Sequence, residues 1–356
     1  MNNIKKVELE ITSRCNAACP GCARTLNADK LTLQSFDFED IKRLFPSRDV
    51  IQGREFKFCG VLGDPALNED CVKMVDWLVH RGAYCELSTN GGYQTADWWA
   101  RLGQLAKDHP GKVHIHFCVD GHKETNHIYR VNTKFDIIKR NMTAFSMAAP
   151  KESASWIYIV FDHNEHEIDA AKAHAKELNF KFATRTGMRN SYHDWLAVLK
   201  KKENKKIVQE EKIITTTGTK EHSKIEVVKE LDKFIEEYKT SEVDETKIKQ
   251  ITDSIVCKYV HEGEIFIASD LTLWPCCFLW DSAFKNKENI VNKLAQFEPG
   301  WNSLKEHTIE EVLQHPWYAK LLEASWHPYH NLHFARCIKT CAKNKAYHNE
   351  INYVVN

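Results

Sequence analysis

Cys15-Asn-Ala-Ala-Cys19-Pro-Gly-Cys22 puts three thiols into eight residues, directly behind the apolar run Val7-Glu-Leu-Glu-Ile-Thr12. The spacing, C-x3-C-x2-C, is uneven and offers three ligands rather than four. Structural zinc is tetrahedral and closed, and its thiols commonly pair as C-x2-C. A cube-shaped iron–sulfur cluster on three thiolates leaves one iron open to a further ligand. The competing readings are a zinc knuckle or unconnected buried cysteines. The rest of the chain has to decide among them.

At 356 residues the chain has room for one large domain or two ordinary ones. Its formal net charge is zero and both signs are mixed along its length. That balance gives no electrostatic footprint for nucleic acid or an anionic membrane. No apolar run approaches the roughly 20 residues of a membrane span. The charged start Met1-Asn-Asn-Ile-Lys-Lys6 leads straight into a strand, which argues against a signal peptide and for a cytoplasmic protein. Twelve cysteines without a secretory leader point to metal or redox chemistry in a reducing compartment. They fall into the opening triplet and a C-terminal group of Cys257, Cys276, Cys277, Cys337 and Cys341. Between them, Cys59, Cys71, Cys85 and Cys118 read as small buried apolar residues.

From residue 7 to about 190, strand-like runs alternate with amphipathic helical patterns. Strands are expected at Val7–Thr12, Phe56–Gly60, Tyr84–Ser88, Val113–Val119, Trp156–Phe161 and Lys181–Arg185. Helices are expected at Phe38–Phe45, around Val72–Val79, Trp98–Ala106, Phe135–Ala148 and Ile168–Leu178. Six strand–helix units imply an α/β fold, a partial (β/α)6 TIM-like barrel of parallel strands with its chemistry at the C-terminal strand ends. This core takes residues 1–195. Residues 196–252 read as a charged insertion or linker with one amphipathic helix, Glu226 to Lys239. Residues 253–356 begin a smaller unit, with a hairpin over Glu264–Trp274 and a capping box, Thr308-Ile-Glu-Glu311, opening a helix towards Leu322.

The predicted strand ends are informative in their order. After the second comes Leu62-Gly63-Asp64-Pro65, after the third Thr89-Asn90-Gly91, after the fourth Cys118-Val119-Asp120-Gly121. Together with the cysteine triplet, this series resembles the radical S-adenosylmethionine (SAM) enzymes over roughly residues 5 to 190. The resemblance implies that Cys15, Cys19 and Cys22 hold a [4Fe-4S] cluster whose open iron chelates SAM, and that one electron cleaves SAM to a 5′-deoxyadenosyl radical. It further implies that Gly63, Asp64, Thr89, Asn90, Asp120 and Arg130 help seat SAM, and Arg185, placed on the sixth strand to line the barrel mouth, is counted with them as cofactor-binding. Four positions depart from the usual pattern. Leu62 and Asp64 stand in Leu-Gly-Asp-Pro where Gly-Gly-Glu-Pro is usual, Cys118 stands where a serine is common, and Gly21 lacks the aromatic residue that often precedes the third cysteine.

Cys257, Cys276, Cys337 and Cys341 resemble the shortened SPASM, or twitch, domain of some of these enzymes, which holds an auxiliary [4Fe-4S] cluster. Cys276 is preferred over its neighbour Cys277 because consecutive side chains in an extended chain point oppositely. A four-cysteine zinc site is the alternative. The histidines from His327 to His333 lack the helical spacing of a metal pair and read as hydrogen-bonding loop residues.

The expected activity is hydrogen abstraction from a substrate carbon, with the auxiliary cluster accepting an electron and a flavodoxin- or ferredoxin-like donor supplying the first one. A start directly at the barrel, without a module for capturing a leader peptide, tilts the substrate towards a small sugar- or nucleotide-like molecule. A peptide substrate is the alternative within the family, and a non-catalytic zinc protein the alternative outside it.

Overall fold

The computed structural model describes residues 3–185, 252–285, 297–327 and 333–342, the strand Ile351–Tyr353 and a few isolated positions. The predicted helix Glu226 to Lys239, and nearly all of 196–252, lie outside these residues.

The order of elements follows the alternation read from the sequence. Strands β1 Lys6–Leu9, β2 Glu55–Phe58, β3 Tyr84–Thr89, β4 Val113–Cys118, β5 Ala154–Ile159 and β6 Lys181–Arg185 pair in parallel with their neighbours. The main helices between them are α1 Phe38–Leu44, α2 Cys71–His80, α3 Ala96–Asp108, α4 Phe135–Ala148 and α5 Ile168–Glu177. Each helix forms because its apolar residues recur at helical spacing. In α2, Val72, Val75, Leu78 and Val79 are all buried on one face. Side-chain caps start several of them, with Asp37 and Asp40 forming a reciprocal capping box on α1 and Thr95 capping α3.

Period-two alternation sorts the strand residues between the two faces of the sheet. One row of register partners is Val7, Phe56, Cys85 and Val113, all buried. The adjacent row is Glu8, Lys57, Glu86 and His114, all polar. Lys57 Nζ lies 3.3 Å from Glu8 Oε1, and His116 Nε2 lies 3.8 Å from Glu86 Oε2. Further along the same face come Cys59, Ser88 and Cys118, which line the cavity described below.

The hairpin near the C-terminus forms as β7 Glu264–Ile267 and β8 Leu273–Trp274, but it does not stand apart. β7 pairs in parallel with β1, in register from Lys6↔Glu264 to Leu9↔Ile267. A ninth strand, β9 Ile351–Tyr353, adds antiparallel to β6. The sheet order is therefore β8-β7-β1-β2-β3-β4-β5-β6-β9, with β1 interior. The rest of this region holds α6 Cys277–Phe284, α7 Ile309–Gln314 and α8 Ala335–Cys341. The Thr308–Glu311 capping box opens α7, as its residue spacing predicts. His315 and Pro316 interrupt the helix before Leu322, because proline cannot continue the backbone hydrogen-bond ladder. Among the described residues no helix is long and apolar enough to cross a membrane.

Candidate active site

The cysteine loop leaves β1 and is tied down at several points. Thr12 bridges Ser35, and Ser13 Oγ donates to the Thr32 carbonyl at 2.9 Å. Ala18 N–H reaches the Val131 carbonyl at 3.0 Å, and Asp64 N–H the Arg14 carbonyl at 2.8 Å. Cys22 then caps the short helix Ala23–Leu26. Cys19 packs in a small apolar patch with Ala17, Tyr129 and Phe161, whose two rings lie 4.6 Å apart. Tyr129 lines the same cavity as Gly21. Aromatic surface thus reaches this cavity from the short helix Asn126–Tyr129, a source the sequence at Gly21 did not reveal.

Cys15, Cys19 and Cys22 all line one cavity of about 470 Å³ at the C-terminal ends of the strands. Gly63, Asp64, Thr89, Asn90, Arg130 and Arg185 line it as well. Asp120 stands just behind the wall, fully buried. The volume is that of an ordinary small-ligand site.

The polar residues divide into braces and facing groups. Asp64 is a brace, accepting from Ala66 N at 3.0 Å, Thr89 Oγ1 at 2.9 Å and Asn90 N at 2.7 Å, so it ties the β2 turn to the β3 turn. Asn90 Nδ2 then reaches Asn16 Oδ1 at 2.9 Å and lies 3.8 Å from Cys15 Sγ, which links β3 to the cysteine loop. Asp120 uses one oxygen for Ile159 N–H and the other for Arg130 Nε, both at 2.7 Å. Arg130 Nη1 in turn lies 3.9 Å from Cys19 Sγ.

Gly63 serves a different approach from the one expected. A Cβ there would sit 1.7 Å from the Thr12 carbonyl oxygen, so the glycine lets the β2 turn close against the cysteine loop itself. Cys59 and Cys118 also differ from expectation. Both line the cavity, and Cys59 Sγ donates to Glu8 Oε1 at 2.7 Å. Their strand-end positions put them on the polar face, which a reading of cysteine as a small apolar residue overlooks. The C-terminal part contributes Cys277, Phe278, Asp281, Lys285 and Arg336 to the same wall, a contribution with no local signal in the sequence.

Burial pushes the Cys15 thiol up to about 12, with the nearby Asp64 carboxylate adding to the rise. Burial also raises Cys19, although the Arg130 guanidinium opposes it. Thiols held this way stay protonated at neutral pH until a metal takes the proton's place. The three thiols on one cavity, beside a cation and without a fourth thiol in the loop, fit a three-thiolate iron–sulfur site. Among the described residues no group of His, Cys, Asp or Glu converges as a site for a single metal ion.

The second cysteine set gathers beyond the barrel wall. Ile255 bridges Ala342, and Val256 N–H donates to the Cys341 carbonyl at 2.9 Å. This brings Cys257 to the end of α8, where Cys337 and Cys341 are four residues apart and so on one face. Burial holds Cys276 up at about 12, and the Cys257 and Cys341 thiols raise it further. Cys276 is extended, while Cys277 starts α6 and turns to Glu8 and the cavity. The His333 ring faces the Ser325 carbonyl at 3.2 Å.

No protein-family description and no curated protein matches the chain by sequence. Solved structures resemble it in fold. Streptococcus suis SuiB bound to precursor peptide SuiA aligns over 95% of this chain and 67% of its own, with 12% identity and a TM-score of 0.51. The same protein bound to S-adenosylmethionine aligns over 83% and 66%, at 12% identity and TM-score 0.49. BtrN in complex with AdoMet and 2-DOIA aligns over 99% and 98%, at 11% identity and TM-score 0.41. The chain spans about two thirds of the length of the SuiB chains. The likeness to peptide-bound SuiB is one of fold.

Proposed function

We propose that this chain is a radical SAM enzyme. The observation that carries the reading is the convergence of Cys15, Cys19 and Cys22 with the strand-end turns and Arg130 on one cavity. The SAM-bound SuiB and BtrN structures are in keeping with SAM as the ligand. In this reading the three thiols hold a [4Fe-4S] cluster, which with SAM supplies reductive cleavage to a 5′-deoxyadenosyl radical for hydrogen abstraction.

The chain's own residues do the positioning. Asn90 and Asn16 fix the cysteine loop against the β3 end, and Asp64 fixes the β3 end against the β2 turn. Asp120 holds Arg130 by its Nε, which directs the guanidinium to the thiol end of the cavity, where it would meet the carboxylate of SAM. The apolar patch of Ala17, Tyr129 and Phe161 keeps water from the same end.

Cys257, Cys276, Cys337 and Cys341 would hold an auxiliary [4Fe-4S] cluster in residues 253–356, which would supply an acceptor for the electron left on the substrate. A flavodoxin- or ferredoxin-like protein of the cytoplasm delivers the first electron. The substrate is a small molecule. A peptide is the second reading, in line with the peptide-bound SuiB structure.

Anaerobic reconstitution with iron and sulfide tests the assignment. A brown protein with iron for two four-iron clusters, which makes 5′-deoxyadenosine from SAM and dithionite, supports it. A colourless protein with two tightly bound zinc ions under the same handling would sink it.

A further inference from the structure

Four cations and two carboxylates line the cavity, and two of the cations are already paired. Arg130 is held by Asp120 at 2.7 Å, and Lys285 by Asp281 at 2.6 Å. Asp64, the other carboxylate of the lining, is engaged by Thr89 and the backbone. Arg185, at the end of β6, and Arg336, on α8, have no acidic partner among the described residues. Arg336 is not a free surface side chain. Its guanidinium lies 5.5 Å from the Phe278 ring centroid, and its Nε is buried without a hydrogen-bond partner.

A guanidinium presents a planar fork that matches carboxylate and phosphate oxygens, and a buried donor left unpaired is costly. Arg336, with its Nε buried and unpaired, and Arg185, exposed at the mouth of the same cavity, thus offer two guanidinium forks that no acidic group among the described residues fills. The carboxylate of SAM does not fill them in the proposed reading, because Arg130 stands at the thiol end. The sulfonium of SAM adds further positive charge to the cavity.

We infer that Arg185 and Arg336 form a substrate subsite for an oxyanion, a carboxylate or phosphate group carried by the molecule from which hydrogen is taken. The inference rests on the radical SAM reading for the word substrate, and on the cavity alone for the anion. Phe278 beside Arg336 suits an apolar or ring carbon next to the charged group.

The test is calorimetric titration of the anaerobically reconstituted full chain with inorganic phosphate and, separately, with succinate. The expected result is saturable binding of at least one of them. Affinity should fall about tenfold or more in Arg336→Gln and recover in part in Arg336→Lys, since ion pairing to a buried oxyanion is worth at least that factor. Phosphate alone assigns a phosphate-bearing substrate, and succinate alone a carboxylate. No saturable binding of either anion, or Arg336→Gln binding as tightly as wild type, overturns the subsite. If Arg336→Gln does not fold, Arg185→Gln read in the same way decides the matter. Deoxyadenosine formation by the wild-type protein is measured alongside. SAM cleavage without anion binding removes the subsite and leaves the radical reading intact, whereas anion binding without SAM cleavage does the reverse.

Discussion

Asp120 and Asp64 are both buried carboxylates at the cavity, and each does its work through another residue. Replacing Asp120 by alanine leaves the Arg130 guanidinium and the Ile159 amide without their partner. Removing one member of a buried ion pair costs about 3–5 kcal/mol, so Asp120→Ala should lose stability on that scale in urea titrations. A loss under about 1 kcal/mol would mean that water already shares the site. Asp64→Asn keeps the shape but turns one acceptor into a donor facing Thr89 or the Asn90 amide. The expected cost is about 1–3 kcal/mol, together with weaker SAM binding in the reconstituted protein. At Gly63 a methyl group would collide with the Thr12 carbonyl, so Gly63→Ala should fail to take up the three-thiolate cluster even if it is soluble. Iron analysis after reconstitution reads this directly. These positions were legible as punctuation, since Gly-Asp-Pro and Thr-Asn-Gly stand at predicted strand ends. Their roles were not legible, because the partners of Asp64 lie on two different strands and the sequence does not say which oxygen meets which amide.

At the scale of elements, the adjacent Cys276 and Cys277 divide two environments. Cys276→Ala should cost the protein the iron of one cluster, and Cys277→Ala should keep both. If the losses were the other way round, the assignment of the auxiliary ligands would be wrong. Glu10, the residue that follows β1, is a second marker, and its Oε1 accepts the Leu62 amide at 2.6 Å. Burial raises its carboxyl to about 7, with Asp270 adding a little and the backbone amides of the β2 turn opposing. Since the folded state holds this proton more tightly than the unfolded chain does, the associated stability is present in acid and is lost as pH rises to about 7. Glu10→Gln should therefore stabilise the protein at about pH 8 relative to its effect at about pH 5, by up to about 3 kcal/mol at 1.36 kcal/mol per unit. Equal effects at the two pH values would contradict the assignment. The barrel strands themselves were legible because Val7, Phe56 and Ile115 alternate with polar neighbours. The pairing of β7 with β1 was not, since Glu264–Ile267 reads equally well as a free hairpin arm.

Across the whole molecule, one sheet runs from the hairpin through the barrel to β9, and the cavity takes its walls from both ends of the chain. The intact protein should therefore unfold in a single urea transition when followed by tryptophan fluorescence and by far-ultraviolet circular dichroism, because no sheet boundary separates the two parts. Two resolved transitions would show that residues 253–356 fold on their own. A chain ending near residue 250 should be poorly soluble, since β1 then becomes an exposed strand edge with unpaired backbone groups.

The interior place of β1 also sets an order of events during synthesis. Lys6 pairs with Glu264, about 260 positions later. At roughly 5–20 residues per second, the first strand waits about 13–50 seconds for its second neighbour. The cysteine loop leaves that strand, so its thiols reach their final setting only after most of the chain has left the ribosome. In the proposed reading, metal delivery to Cys15, Cys19 and Cys22 would then be a late step in maturation, timed by the arrival of the C-terminal region.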